Sequence, residues 1–180
     1  MSKWPQVNLT ELAVCLDSRR VPVKESDRPD GGTVPYYGAN GQTGWMDRPL
    51  FDEPLLLIAE DGGFFDQPEK GVAYVIEGPS WVNNHAHVLR AKPERAKLEY
   101  LGYFFRHFNF LPYITGTTRS KLTQRDLFKV DVPLPPLPEQ ERIVGILNEV
   151  DTLRRLQAAS RQRLDELFQS LLHDAFQGEP

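Results

Sequence analysis

Hydrophobic residues follow two patterns along the chain, and the change between them falls near residue 136. Before that point, short apolar runs such as residues 54–59 are bounded by Gly, Pro and Asp, which is typical of β-strands joined by turns. After Pro138 no proline occurs until the final residue, and apolar residues recur every three or four positions. This second pattern predicts one helix from Pro138 to Phe176, about 58 Å long at the standard helical rise.

A heptad repeat runs along this predicted helix. With Ile143 at position a, seven a and d positions hold branched apolar residues: Ile143, Ile146, Val150, Leu153, Leu164, Leu167 and Leu171. Gln157 and Ser160 interrupt this seam near its middle. Because the helix would exceed the width of a small domain, we predict a coiled-coil arm that pairs with another chain. The alternative is a terminal helix that folds back on its own domain.

The part of the chain before the helix is predicted to form a mixed sheet-and-helix globule, so the fold class is α+β. Strands are predicted over residues 54–59, 71–77 and 81–89, and one aromatic-rich helix over residues 96–110. Asn8 or Thr10 could cap a short helix that ends near Leu16, and a polar loop follows over residues 17–33. The predicted domains are residues 1–136 and the long helix over residues 137–180.

The net charge, the length of the apolar runs and the cysteine count limit the classes of function that fit this sequence. The net charge is −4, and residues 1–136 carry 16 Lys and Arg against 17 Asp and Glu, so any contact with nucleic acid must depend on a local patch. No apolar run is long enough to span a membrane, and the first residues do not resemble a signal peptide. Cys15 is the only cysteine and is expected to pack as a small hydrophobic residue. We therefore expect a cytoplasmic protein.

Two stretches carry side chains suited to reading a polar surface. Residues 34–46 combine glycines with aromatic and amide side chains, of which we single out Tyr37, Asn40, Gln42 and Thr43. Residues 115–127 are basic and rich in hydroxyl groups, with Thr117, Thr118, Arg119, Ser120 and Lys121 as the candidates for phosphate or base contact. The alternatives are a glycine-rich hairpin with core aromatics and a capped turn before a short helix.

The residue spacings that enzymes use are absent. No Asp or Glu is followed two positions later by Lys, and no Gly-x-Ser-x-Gly or Asp/Asn-Pro-Pro-Tyr/Phe motif occurs. His85 and His87 lie two apart on one predicted strand and could share a metal, but no third Cys or His ligand lies nearby. We therefore predict no catalytic residues, no metal site and no cofactor bound by this chain. A metal-dependent nuclease using His85 and His87 remains a remote alternative.

The run of residues 132–144, Val-Pro-Leu-Pro-Pro-Leu-Pro-Glu-Gln-Glu-Arg-Ile-Val, resembles the junction between a target-recognition domain and a conserved helix in type I restriction–modification specificity subunits. Residues 116–122, residues 36–41 and the opening Trp4-Pro5 fit the same pattern in the same order. The Pro-Leu-Pro-x-x-Glu-Gln segment that enters the helix is the most specific of these pieces. The resemblance therefore extends over nearly the whole chain.

This resemblance implies a non-catalytic subunit that reads double-stranded DNA. In the family, each recognition domain reads one half of a bipartite site, and the long helices set the distance between the halves. Methyltransferase subunits that bind S-adenosylmethionine dock on this scaffold and methylate adenines, and a separate motor–nuclease subunit can join them. The nine candidate residues above would then contact DNA, with Arg119 or Lys121 on guanine or phosphate and Asn40 or Gln42 on adenine.

The usual family pattern has two recognition domains and two conserved helices, whereas this sequence has one of each. We therefore expect a half-length subunit that dimerises through its helix, as a homodimer reading an inverted repeat or together with a different half-subunit. The alternative function is a coiled-coil adaptor that binds proteins and never contacts DNA, which the near-neutral charge favours.

Overall fold

The computed structural model describes residues 3–67, 70–116 and 120–177. They divide into two compact units, Met1–Glu141 and Arg142–Pro180. The first unit contains three sheets together with short helices, and the second is helical. The predicted α+β class is confirmed.

A small two-stranded sheet joins the beginning of the first unit to its end. Strand β1 (Gln6–Asn8) pairs antiparallel with β10 (Asp131–Pro133), and helix α1 (Leu9–Leu12) follows β1 directly. The side chain of Asn8 caps α1 by accepting a hydrogen bond from the N–H of Thr10. The helix predicted to reach Leu16 stops at Leu12, because the next residues form β2 (Ala13–Cys15) and pair with β9 (Ala86–Ala91). Sheet pairing here prevails over the local helical pattern.

Sheet I has the order β2-β9-β6-β7 and is antiparallel throughout, with β6 (Leu55–Ala59), β7 (Ala73–Ile76) and β9 (Ala86–Ala91). Every residue of β6 is buried, as its uninterrupted apolar sequence predicts. Helix α2 (Leu98–Arg106) packs against β6 and β7, and its aromatic residues join the interior. The helix predicted over residues 96–110 is therefore present in a shorter form.

Sheet II has the order β4-β3-β8-β5, and within it β3 (Val34–Gly38) and β8 (Pro79–Val82) are parallel. Strands β4 (Gly41–Met46) and β5 (Phe51–Asp52) form its edges. Val34, Tyr36 and Met46 pack with Trp81 in a cluster on this sheet. Two short 3-10 turns, Asp17–Arg19 and Glu25–Asp27, lie in the polar loop that precedes β3.

The strand predicted over residues 81–89 is wrong, because the chain there forms parts of two strands in different sheets. The side chain of Asn83 accepts a hydrogen bond from the N–H of His85, and this turn separates β8 in sheet II from β9 in sheet I. His85 therefore lies in a turn, while His87 lies within β9. The two histidines do not share one strand face.

The remaining helices follow the sequence closely. Thr123 caps α3 (Gln124–Leu127), a short helix that leads into β10, as one of the two interpretations of this segment predicts. Helix α4 spans Leu137–Gln177, so the predicted helix from Pro138 to Phe176 is confirmed to within one residue at each end. Among the described residues, no helix combines the length and the apolar character that a membrane crossing requires.

Candidate nucleic-acid interface

The glycine-rich stretch forms the hairpin β3–β4, whose tip consists of residues 39–40. Gly41 follows the tip with a φ of +117°, a conformation that side chains other than glycine rarely adopt. Asn40 is exposed at this tip, and its side-chain amide donates to the carbonyl oxygen of Gly62 over 2.9 Å. The structure therefore confirms the alternative that residues 34–46 form a glycine-rich hairpin, and this hairpin places the side-chain amide of Asn40 at an exposed turn.

The other three candidates on this hairpin differ in exposure. Gln42 and Thr43 are exposed on the edge strand β4, and their side chains donate to the carbonyl oxygens of Gly44 and Tyr36. Tyr37 is half-buried, with its ring centroid 6.1 Å from that of Tyr74 and its side chain against the core of sheet I. Gln42 and Thr43 are thus available to an external partner, whereas Tyr37 is partly committed to packing.

In the second stretch, backbone hydrogen bonds join Thr115 to Lys121. The N–H of Thr115 donates to the carbonyl oxygen of Lys121 over 2.9 Å, and the N–H of Lys121 donates back over 2.8 Å. Ser120 and Lys121 are exposed. Three of the predicted contacts lie outside the described residues: Thr117, Thr118 and Arg119.

A single turn after β6 connects these two stretches, which lie far apart in sequence. Its residue Gly62 receives the hydrogen bond from Asn40, and its residue Asp61 forms an isolated β-bridge with Lys121. The carbonyl oxygen of Glu60 also accepts from the N–H of Leu122 over 2.7 Å. Asn40 and Lys121 are therefore both fixed to residues 60–62, on the same side of the first unit.

The side chain of Lys121 is not an isolated charge. Its Nζ lies 3.0 Å from Oε1 of Glu60, whose other oxygen lies 2.7 Å from Nη1 of Arg20. Arg20 in turn lies 3.3 Å from the carboxylate of Asp17. Asp17, Arg20 and Glu60 each expose less than 15% of their side chains, whereas Lys121 exposes 47%. Lys121 is thus the solvent-facing end of a buried ion-pair network.

His87 completes this network, and both of its ring nitrogens have polar partners. Nδ1 lies 2.6 Å from a carboxylate oxygen of Asp17, and Nε2 lies 2.8 Å from the carbonyl oxygen of Leu122. The side chain of His87 is only 1% exposed, so these two contacts replace the water that an imidazole would otherwise bind.

The carboxyl group of Asp17 is correspondingly held in its charged form. Burial on its own would raise the pKa of this group, but the hydrogen bond and charge of His87 act in the opposite direction. The N–H of Val88, which donates over 2.8 Å, and the guanidinium of Arg20 add to this effect. The net result is a pKa of Asp17 below its ordinary value.

The alternative in which His85 and His87 share a metal does not match the structure, where each histidine has a separate carboxylate partner. His85 contacts Asp61, while His87 contacts Asp17. Asp17, Glu60 and His87 do bring three potential ligand atoms within 4.8 Å of one another. The guanidinium of Arg20 already contacts both carboxylates of this group, so their negative charge is compensated by the protein itself.

The buried network was not foreseen from the sequence. Its members come from the polar loop, the end of β6 and the middle of β9, and only the antiparallel pairing of sheet I brings them together. His87 was considered only as half of the metal-binding alternative, and not as a member of a hydrogen-bonded network. The available signal was an imidazole in an otherwise apolar strand, which requires polar partners when buried.

The predicted seam residues lie along α4 in the second unit, and most of them are exposed. The exposed members are Ile146, Val150, Leu153, Leu164, Leu167 and Leu171, with Ile143 at intermediate exposure. Leu156 and Phe168 are also exposed, and Phe168 was missed because it falls at position e of the heptad. The helix therefore carries an apolar surface of the kind that marks an interaction site.

Comparison with known proteins places this arrangement in context. A protein of Haemophilus influenzae assigned as a type I restriction enzyme specificity subunit is 35% identical over 145 residues, which cover 81% of this chain and 37% of that protein. The crystal structure of a type I S subunit from M. genitalium matches with a TM-score of 0.69 at 15% identity, covering 99% of this chain and 47% of the other. That of the HsdS subunit from Thermoanaerobacter tengcongensis matches with a TM-score of 0.59 at 25% identity, covering 98% and 46%.

This chain spans less than half the length of each of these three proteins. Residues 1–166 also match the family described as the type I restriction modification DNA specificity domain, and that range includes the hairpin, Lys121 and most of α4. The resemblance inferred from the Pro-Leu-Pro-x-x-Glu-Gln junction is confirmed, and the chain belongs to the type I restriction–modification DNA specificity family.

Proposed function

We propose that this chain reads one half of a bipartite double-stranded DNA site and pairs through α4 with a second specificity element. The observation that carries the proposal is the exposed apolar seam of α4, which follows a unit matching the DNA specificity family. Six seam residues are exposed, and a water-soluble helix with such a surface is stabilised by burying it against another helix.

The first unit supplies the DNA contacts in this proposal. Asn40, Gln42, Thr43, Ser120 and Lys121 are exposed, and Asn40 and Lys121 are joined to the same turn at residues 60–62. Amide side chains can bind the edge of adenine, and Lys can bind guanine or a phosphate oxygen. The predicted contact set also includes the half-buried Tyr37 and the sequence neighbours of Ser120, which are Thr117, Thr118 and Arg119.

In this proposal, other subunits carry out the methylation of DNA. We propose that this chain has no catalytic role, and that methyltransferase subunits carrying S-adenosylmethionine dock on it and methylate adenines within or beside the bound site. A separate motor–nuclease subunit could join the same assembly. Such a complex acts on chromosomal and invading DNA, so we expect it in the cytoplasm.

Symmetry determines which DNA sequence such an assembly reads. Two copies of this chain paired through α4 would form a two-fold dimer, and its two recognition units would read an inverted repeat. Pairing with a different specificity element would instead give two unrelated half-sites. The helix pair would set the spacing between the half-sites in either case.

The experiment is a map of modified adenines in DNA from cells that co-express this chain with its methyltransferase subunits. A split, palindromic motif that disappears when the chain is omitted is the expected result for a homodimer. A split but asymmetric motif would mean that a second specificity element is supplied. If no motif depends on the chain, DNA recognition is excluded, and the near-neutral first unit then favours the protein-interaction adaptor.

A further inference from the structure

The carboxylate of Glu60 in the buried network contacts two cationic side chains. Nη1 of Arg20 lies 2.7 Å from Oε2, and Nζ of Lys121 lies 3.0 Å from Oε1. Arg20 is held in place from a second direction, because its Nη1 also donates to the carbonyl oxygen of Ala86 over 2.7 Å. One of the two cations can therefore leave while the carboxylate of Glu60 keeps a charged partner.

Lys121 is the cation that can leave. Its side chain is 47% exposed, whereas the side chains of Arg20 and His87 are 13% and 1% exposed. When Lys121 departs, Glu60 keeps Arg20 at 2.7 Å, and Asp17 keeps His87 at 2.6 Å. Because removing one partner of a buried pair is costly, this remaining one-to-one pairing is what makes the exchange feasible.

We propose that Glu60 restrains the side chain of Lys121 in the free protein, and that a DNA phosphate takes the place of the Glu60 carboxylate when DNA binds. This inference rests on the proposed DNA-binding function. The backbone of Lys121 stays fixed by its hydrogen bonds to Thr115, so only the side chain changes partner. Glu60 thereby lowers the affinity of the free protein for DNA, since each encounter must break the Lys121 ion pair.

The exchange has a quantitative signature in a double-mutant cycle. Glu60→Gln removes the carboxylate that competes with DNA for Lys121, while the glutamine can still accept a hydrogen bond from Arg20. The affinity for DNA should therefore rise by about 2- to 5-fold, which corresponds to the strength of one exposed ion pair. Lys121→Gln should weaken binding and reduce the slope of log affinity against log salt by about 0.9, because one phosphate contact is lost. In the Lys121→Gln background, Glu60→Gln should have no effect beyond the general effect of removing one negative charge.

A matched control separates this coupling from the general effect of removing a negative charge. Glu53→Gln makes the same change in charge at a carboxylate of the same unit, which pairs with Arg19 and Arg90 instead of Lys121. Its effect on affinity should be equal in the presence and absence of Lys121. Thermal unfolding of each variant identifies any change caused by loss of structure.

The experiment uses the full chain assembled with its methyltransferase subunits and a mixed-sequence DNA duplex as the probe. As a second measurement that needs no substitution, the rate of acetylation of Lys121 is followed by mass spectrometry with and without the duplex. Protection of Lys121 by the duplex is expected, together with faster acetylation in free Glu60→Gln than in the free wild-type protein.

Equal effects of Glu60→Gln in both backgrounds, or weaker DNA binding in both, would overturn the role assigned to Glu60 while leaving DNA recognition intact. Unchanged acetylation of Lys121 in Glu60→Gln would overturn it as well. Failure of the wild-type assembly to bind any duplex, combined with the absence of a dependent methylation motif, would instead remove the proposed function and this inference with it.

Discussion

The side chain of Gln140 accepts a hydrogen bond from the backbone N–H of Lys97, with 2.8 Å between Oε1 and N. Its amide nitrogen donates to the carbonyl oxygens of Arg95 at 3.2 Å and Pro135 at 2.9 Å, and the whole residue is buried. One side chain therefore satisfies three backbone groups around the first turn of α4 and the start of α2. This role explains why a glutamine stands in the Pro-Leu-Pro-x-x-Glu-Gln junction.

Gln140→Leu should lower the free energy of unfolding of the first unit by about 2 to 4 kcal/mol, because buried backbone groups lose their partners. Gln140→Glu should be destabilised at neutral pH and recover in part as the pH falls, since its carboxylate would face two carbonyl oxygens until it is protonated. Urea denaturation across a pH series measures both effects. Gln169→Leu, at an exposed position of α4, is the control. Equal stability of Gln140→Leu and this control would contradict the role of Gln140.

Two helical glycines should respond to alanine in opposite directions. A Cβ at Gly102 in α2 would lie 2.6 Å from Cγ2 of Val75 in β7, so Gly102→Ala should cost about 1 to 3 kcal/mol through overpacking. A Cβ at Gly145 in α4 would meet no atom within 4 Å, so Gly145→Ala should gain up to about 1 kcal/mol through helix propensity. Thermal unfolding of the two variants provides the measurement. If Gly102→Ala instead stabilised the protein, Val75 and β7 would have to move away from the new methyl group at little energetic cost, and the overpacking prediction would be wrong.

The parts of the fold that the sequence predicts correctly are those decided by local pattern. Helix α4 was predicted to within one residue at each end because its apolar period extends over many turns. The buried strand β6 was predicted because its apolar run is bounded by Pro54 and by Asp61-Gly62-Gly63. In each case neighbouring residues contain the whole signal.

The predictions from sequence fail where contacts between residues far apart in the chain determine the structure. Residues 13–15 form a strand instead of extending α1 because β9 offers a pairing edge. The break at Asn83 depends on a side-chain turn between two sheets, and the apolar pattern passes through it unchanged. The network around Glu60 has no local signal, because its members meet only after sheet I has formed. The geometry that joins Asn40 and Lys121 was unpredictable for the same reason.

The Asp17–His87 pair should make stability sensitive to acid. The pKa of Asp17 is lowered in the folded protein, so the pair stabilises above the unfolded pKa of about 4, and this contribution is lost as the pH falls through the folded pKa. Asp17→Asn should therefore be less stable than wild type at neutral pH, by about 1 to 3 kcal/mol. The two stability curves should converge below about pH 4.

Chemical denaturation at several pH values measures this convergence. Asp30→Asn, at an exposed loop position, is the control and should follow the wild-type curve throughout. An Asp17→Asn curve that stays parallel to wild type into acid would show that the charge of Asp17 makes no contribution to stability.

Cys15 should be unreactive in the folded protein. Burial is the main cause that raises the pKa of its thiol to about 11, and the nearby charge of Asp17 adds to it. Since the thiolate is the reactive form, alkylation by iodoacetamide at pH 8 should be about 100-fold slower or more than for the same chain in denaturant. Mass spectrometry of timed samples measures the two rates. Similar rates would mean that the region around Cys15 opens frequently.

The exposed seam of α4 should determine the oligomeric state. Leu164 occupies position a and is 63% exposed in the single chain, so Leu164→Glu would place a charge where a dimer buries apolar surface. Each dimer loses two such leucines, worth about 1.5 to 3 kcal/mol apiece, so the dimer dissociation constant should rise by about 100-fold or more. Gln169→Glu adds the same charge at position f, away from the seam, and should leave the constant unchanged. Analytical ultracentrifugation over a dilution series distinguishes the two variants. If both remain monomeric like the wild type, homodimerisation is excluded, whereas a dimer insensitive to Leu164→Glu would require a contact outside the seam.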